Sequence, residues 1–196
     1  MKQPFGVILA GGQARRMGGG DKALLQLGGT TLLELVIERL EPQVAGLCLN
    51  ANGDPARFGQ IGHDVVADSI GGFVGPLAGV LAGLDWAAEQ GAETVVSVAA
   101  DTPFFPCDLT PRLMMAADNM THPLALAATD GRHPTFGIWP VALRDDLRAA
   151  LQGGLRKVVA WTDQHHAAAA SFEVGSFDPF FNINTPEDLA QAERYL

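Results

Sequence analysis

The apolar positions of the chain alternate between two kinds of run. FGVILA (5–10) is a short unbroken apolar run that stops at glycine, the pattern of a parallel strand buried on both faces. AGLCLNAN (45–52), HDVVAD (63–68) and ETVVSVAA (93–100) repeat it, and the last is the most strand-like. LALAATD (124–130), HPTFGIWP (133–140), AASFEV (169–174) and a final FFNI (180–183) read as further strands. Helical patterns lie between them. In TLLELVIERLEP (31–42), Leu33, Val36, Ile37 and Leu40 share one face, Thr31 and Glu34 match a capping box, and Pro42 ends the element. GPLAGVLAGLDWAAEQG (75–91) has Pro76 in its first turn and Gly91 after its end. Its small residues Gly79, Ala82 and Gly83 leave room for close approach of another chain segment. TPRLMMAADNM (110–120), VALRDDLRAALQ (141–152), LRKVVAWTDQ (155–164) and TPEDLAQAERYL (185–196) complete the predicted helices.

The leading order β-α-β-β-α-β predicts an α/β fold, a three-layer α/β/α sandwich around a mostly parallel, Rossmann-like sheet. With no repeat and no low-complexity linker, residues 1–196 are expected to form a single domain. In such sheets ligands bind outside the carboxyl ends of the strands. Four polar features fall there: a glycine-rich loop after the first strand, Asn50 and Asn52 closing the second, Asp68 closing the third, and Asp101 after the strongest.

Composition narrows the function classes. An apolar fraction of 47% with 18% charged residues suits a packed core. A formal net charge of −9 argues against bulk nucleic-acid or anionic-membrane binding. No apolar run is long enough for a membrane span, and MKQPFGVILAGG lacks a signal-peptide pattern. Cys48 and Cys107 form no C-x-x-C pair, so reduced thiols and a cytoplasmic location are expected. Neither has a basic neighbour in sequence, and neither is assigned chemistry. Against the acidic background, Arg15, Arg16 and Lys22 stand out.

Those cations lie in VILAGGQARRMGGGDKALLQLGG (7–29). The stretch lacks the Gly-Lys-Ser/Thr of a P-loop and the G-x-G-x-x-G fingerprint. Exposed backbone N–H groups in a glycine-rich loop still cradle phosphates, and Arg or Lys adds charge-assisted bonds. From Leu9 to Lys22 the stretch resembles the L-A-G-G-x-A-x-R-M-G-G-x-D-K signature of the molybdopterin nucleotidyltransferases. N-A-N at 50–52, G-P-L-A-G at 75–79, D-T-P at 101–103, H-P-T at 133–135 and N-I-N-T-P-E-D-L at 182–189 follow in order. Over nearly its whole length the chain resembles the molybdenum cofactor guanylyltransferase family.

The resemblance implies transfer of GMP from GTP to the terminal phosphate of molybdenum-molybdopterin, with release of pyrophosphate. It places Leu9, Ala10, Gly11, Gly12, Lys22, Asn50, Asp68 and Asp101 on the GTP side, with Asp101 also holding Mg²⁺. Arg156, Asn182 and Asn184 fall on the molybdopterin side. It further implies transient contact with a molybdenum-insertion protein and the recipient apoenzyme. The chemistry of the residues agrees. The attacking phosphate is already anionic, so the reaction needs alignment of two anions and neutralisation of the leaving group rather than a strong base. Mg²⁺ uses one or two carboxylates plus substrate phosphates, which suits a lone Asp101. Arg16 and Lys22 would hold the triphosphate, Lys22 nearest the pyrophosphate; Arg15 is the weaker candidate of the adjacent pair.

Several assignments stay open between binding and structural roles. Asp68 suits guanine N1–H and the 2-amino group, or the ribose, or a turn capping Ser69 and Ile70. Asn182 and Asn184 are spaced to point the same way from a strand, and Asn184 also suits the cap of the helix that follows. Trp161, His165 and His166 invite a metal or stacking role. Adjacent histidines cannot both face one ion from a helix, so both are read as surface. Phe180 and Phe181 are read as core rather than as a pterin stack. The rival functions are a cytidylyltransferase of the same cofactor, a sugar-phosphate nucleotidyltransferase, and a non-catalytic carrier of finished cofactor.

Overall fold

The computed structural model describes residues 2–11, 20–72 and 75–196. Gly12, Arg15 and Arg16 lie outside the described residues. The chain runs through β1 (Phe5–Leu9), a short hairpin of β2 (Gln26–Leu27) and β3 (Thr30–Thr31), α1 (Leu32–Leu40), β4 (Leu47–Asn50) and β5 (Asp64–Val66). It continues through α2 (Pro76–Glu89), β6 (Thr94–Ala99), α3 (Leu109–Ala116), β7 (Ala125–Ala128) and β8 (Arg132–Pro140). Then come α4 (Arg144–Gln152), α5 (Val158–Gln164), β9 (Ala168–Ser171) and α6 (Pro186–Ala192).

The main sheet has the strand order β5-β4-β1-β6-β8-β7-β9. β8 runs antiparallel to both its neighbours, and the remaining ladders are parallel. The tight β7–β8 turn, with Thr129 N–H donating to Gly131 C=O, sends β8 back into the gap beside β6. Alternation along each strand makes the three layers. Ile8, Leu49, Val96 and Val98 face α1 and α3 through Leu33, Val36, Leu40, Leu109 and Leu113. Val7, Cys48 and Val95 face α2, α4 and α5 through Leu77, Val80, Leu84, Leu147, Leu151 and Trp161. Each fully buried Leu, Ile or Val contributes about 1.5–3 kcal/mol by leaving water, so these two slabs hold the sheet between them. Burial pushes the Cys48 thiol far above its usual range, which keeps it inert.

Local signals in the sequence account for the helix starts. Thr31 caps α1, with its side chain accepting from Glu34 N–H and Glu34 reaching back to Thr31 N–H: the expected capping box. The helix stops at Leu40, and Pro42 sits in a single 3₁₀ turn behind it. The small residues of α2 meet the sheet as expected. A Cβ at Gly83 would lie 2.8 Å from Val7, and one at Gly79 would lie 2.2 Å from Asn50 Oδ1.

Two expectations need correction, and one element has no counterpart in the sequence reading. The β2–β3 hairpin was not legible, because two-residue strands carry no period; it turns on Gly28 (φ 61°) and Gly29 (φ 91°), left-handed values that favour glycine. FFNI (180–183) is not a sheet strand. It crosses the end of β6, bonded there by Ile183 N–H to Asp101 C=O at 2.9 Å, because Phe180 is anchored in the core and Ile183 in a separate cluster with Leu27, Leu32 and Ala192. In AASFEV only the first part pairs with the sheet, and the strand ends at Ser171.

Phe180 is buried, as read from the sequence, and the His133 ring stacks on it at 4.1 Å and 19°. Burial pulls the His133 pKa below its ordinary 6.5, opposed in part by the charge of Asp178. The unfolded chain therefore takes up this proton more readily than the folded one. The stabilisation is complete above about pH 6.5 and is lost as pH falls through the window just below it. We expect stability to decline as pH falls below about 6.5, ahead of carboxylate titration, and His133→Asn to flatten that decline. Denaturant unfolding at a series of pH values measures it; an unchanged slope in the variant contradicts the assignment.

Candidate functional site

The carboxyl ends of β1, β4 and β6 open on one cavity of about 460 Å³, beside the start of α2. Its lining includes Leu9 and Gly11 at the end of β1, Asn50 and Asn52 at the end of β4, and Asp68, Pro76, Asp101, Thr135 and Asn182. The chain leaves β1 toward β4 on one side of it, while β6 lies on the other, so the cavity sits at the switch point of the sheet. The backbone here is tied to the strands, with Ala10 N–H donating to Asn50 C=O and Ala100 N–H to Leu9 C=O. A Cβ on Gly11 would touch nothing within 4 Å, so that glycine presents bare backbone to open space.

One corner of the cavity is an amide-carboxylate cluster. Asn50, only 5% exposed, donates from Nδ2 to Asp68 Oδ1 at 3.0 Å and to Val66 C=O at 3.3 Å. Asn52 Nδ2 donates to Asp68 Oδ2 at 2.8 Å and its Oδ1 accepts from Asp68 N–H at 2.9 Å. Both Asp68 oxygens are thus oriented by amides rather than by a turn cap at residues 69–70. Gly79 makes the corner possible, since a methyl there would displace Asn50.

The opposite corner is built from the two ends of the chain. Lys22, 8% exposed, donates from Nζ to Asp101 Oδ2 and to Asn184 Oδ1, each at 2.5 Å. The buried Thr102 hydroxyl lies 3.1 Å from Asp101 Oδ1, and the Asn182 side chain closes on the same hydroxyl. Asn182 and Asn184 therefore point to the same side, with Ile183 buried on the other, as their spacing predicts even without a strand. Asn184 is not the helix cap. Thr185 caps α6, accepting from Asp188 N–H, which leaves the Asn184 side chain for Lys22.

The structure brings Leu9, Ala10, Gly11, Lys22, Asn50, Asp68, Asp101, Asn182 and Asn184 to this end of the sheet. The described lining does not include Arg156, whose guanidinium donates to Leu151 and Leu155 C=O behind α4. Thr102, the middle residue of the D-T-P motif with no role assigned to it there, and Arg57, which lies in no motif, also take part in the network; each reaches one partner distant along the chain, Asn182 and Asp21. Trp161 is fully buried and donates to Asp146, which His165 also meets, so this trio serves packing. Cys107 does have a basic neighbour in space, Arg39 Nη1 at 3.4 Å, contributed by α1 rather than by its own segment. Among the described residues no cluster of three or more His, Cys, Asp or Glu is placed to hold a metal.

Residues 6–168 match the family model described as a MobA-like NTP transferase domain. A molybdenum cofactor guanylyltransferase of Bradyrhizobium sp. (strain ORS 278) is 55% identical over 193 residues, covering 96% of this chain and 91% of that protein. The chain belongs to the molybdenum cofactor guanylyltransferase family. It is accordingly an enzyme of the nucleotidyltransferase class. The crystal structure of molybdopterin-guanine dinucleotide biosynthesis protein A from Archaeoglobus fulgidus matches with a TM-score of 0.73 and 25% identity, covering 97% of each chain. A Mycobacterium tuberculosis protein of the same fold, solved in complex with manganese, matches with a TM-score of 0.66 at 18% identity over all of both chains. No described helix is long and apolar enough to cross a membrane.

Proposed function

We propose that this guanylyltransferase moves GMP from GTP to the terminal phosphate of molybdenum-molybdopterin and releases pyrophosphate, with the amide-carboxylate corner on the nucleotide and the Lys22 corner on the reacting phosphates. The observation that supports it most is the Lys22 ammonium held between Asp101 and Asn184. It joins the glycine-loop motif to the terminal motif on one charge at the cavity edge. A buried cation fixed there is aimed at anions that arrive from either side. A carrier of finished cofactor has no need of it.

Within this reading, the geometry of the described residues supports the following roles. Gly11 lets the ribose or base approach the backbone of residues 9–11 closely. Asp68, its two oxygens oriented by Asn50 and Asn52, keeps free acceptor capacity for the guanine N1–H and 2-amino donors or for ribose hydroxyls. Lys22 moves from Asp101 toward the phosphates and neutralises the leaving pyrophosphate. Asn182 and Asn184 orient the acceptor phosphate on the molybdopterin side, to which the family resemblance alone assigns Arg156, and Gly12 and Arg16 complete the triphosphate contacts. The donor set fits Mg²⁺: Asp101 already directs one oxygen to a cation, and a single carboxylate with substrate phosphates is the usual complement of that ion. When bound, Mg²⁺ would draw the phosphates together and offset their charge. A single-domain protein acting in the cytoplasm, with transient contacts to a molybdenum-insertion protein and a recipient apoenzyme, fits this role.

The test is a turnover assay with GTP, CTP and ATP in parallel, with divalent metal and molybdopterin present. The expected result is pyrophosphate release with GTP that requires molybdopterin. Preference for CTP reassigns the enzyme as a cytidylyltransferase, and tight nucleotide-independent cofactor binding without turnover favours the carrier.

A further inference from the structure

We propose that Arg57 is a positioning residue that ties the exit of the glycine-rich loop to the Asp68 corner and thereby sets affinity for the nucleotide. Its head group spans two segments that the sequence keeps apart. On one side Arg57 Nε lies 2.7 Å from Asp21 Oδ2 as an ion pair, without an aligned hydrogen bond, and Asp21 immediately precedes Lys22. On the other, Nη2 donates to Asn52 C=O at 2.6 Å and Nη1 donates to Asp54 C=O at 3.3 Å. Asn52 in turn holds Asp68 through its side chain, on both the carboxylate and the N–H. A continuous path results: Asp21 carboxylate, Arg57 guanidinium, Asn52 main chain, Asn52 amide, Asp68 carboxylate.

The local structure is shaped around this head group. Asp54 Oδ1 accepts from Ala56 N–H and starts the 3₁₀ turn Pro55–Phe58 that carries Arg57. The buried Phe58 ring lies 4.8 Å from Arg57 Cζ. Gly53 adopts φ 90°, and a Cβ there would sit 2.8 Å from Arg57 Nη1, so the turn needs glycine both for its conformation and for the space the guanidinium fills. The side chains of the Arg57–Asp21 pair are 27% and 23% exposed, which shields the pair from full solvent screening. A planar fork that donates to two carbonyls through Nη1 and Nη2 while its charge pairs with a carboxylate at Nε is a task for arginine and not for lysine.

The arrangement acts on binding more than on chemistry. Lys22 has its own anchors in Asp101 and Asn184. What depends on Arg57 is the placement of Asp21 and Asn52, hence of Asp68. Preordering both walls of the nucleotide site removes an ordering cost from GTP binding. This inference rests on the reading of Lys22 and Asp68 as GTP contacts.

The experiment compares Arg57→Gln, Arg57→Lys, Asp21→Asn and the double variant Arg57→Gln/Asp21→Asn in GTP titration and steady-state turnover, with thermal unfolding alongside. Loss of these charge-assisted contacts should raise the Kd and KM for GTP about tenfold in Arg57→Gln, with kcat changed less than about threefold. Arg57→Lys should fall between the parent and Arg57→Gln. The double variant should bind GTP no more weakly than the worse single variant, since both break one path. A lowered unfolding midpoint with unchanged KM, or additive losses in the double variant, overturns the proposal. Asp68→Ala serves as reference. If it loses GTP affinity while Arg57→Gln does not, Arg57 alone is misassigned; if it too keeps it, the reading of Asp68 as a nucleotide contact fails.

Discussion

Asp101→Asn is expected to lower kcat by about 10²–10³-fold, the usual order for removing one group aimed at charge in the transition state. On the proposed reading the carboxylate would hold the divalent cation, and it is the immediate partner of Lys22, so one substitution removes both. The same change also carries a stability cost, and burial decides its direction. The Lys22 side chain is 10% exposed and that of Asp101 25% exposed, so removing the carboxylate strands the drier partner. Breaking a buried pair this way costs about 3–5 kcal/mol in general. Asn184 still accepts from the ammonium and brings the figure here below that range. Thermal unfolding beside turnover across a metal series separates the two effects. Asp101→Glu, which keeps the charge, provides a variant that folds if Asp101→Asn does not. Turnover near the parent level in either folded variant with metal binding abolished would remove Asp101 from the reaction.

The second large effect is expected from Lys22→Met, which keeps the apolar stem and deletes the charge. Here the fold should hold, because the partner left behind is the more exposed one and water can reach it. Loss of a charge-assisted bond costs about 1.5–3 kcal/mol, roughly 10- to 150-fold in rate. A charge that serves the leaving group contributes mainly in the transition state, so kcat should fall more than GTP affinity. Asn182→Ala should instead spare GTP binding and weaken retention of molybdopterin. Separate titrations of GTP and molybdopterin against both variants measure this. The structure sharpens what a negative result means. Lys22 touches Asn184 directly, and Asn182 reaches Asp101 through Thr102, so the nucleotide and molybdopterin sides meet on Asp101. If both variants lose both ligands equally, that junction works as one anchor and the division into two sides is wrong.

What the sequence by itself determined about this protein lies in its local patterns. Two-sided burial is written into FGVIL and TVVSVA, because a strand packed on both faces is apolar along most of its length. The caps of α1 and α6 are written into Thr31–Glu34 and Thr185–Asp188, where each side chain bonds a backbone group three residues away. The same locality, together with the family resemblance, put Leu9, Gly11, Asn50, Asp68 and Asp101 at strand ends, and so at the mouth of one cavity. Only the tertiary structure decided how those residues are joined. Lys22 and Asn184 are 162 positions apart, and no local rule relates an ammonium to an amide at that distance. The exchange of roles at the terminal motif, Thr185 capping and Asn184 turned to Lys22, needed the position of Asp101 to resolve it. FFNI has the composition of a strand, yet Phe180 and Ile183 are claimed by two different apolar clusters, and that long-range burial outweighs sheet pairing. Arg57 carried no signal at all, since its meaning comes from Asp21 and Asn52 arriving on either side of it from separate turns of the chain.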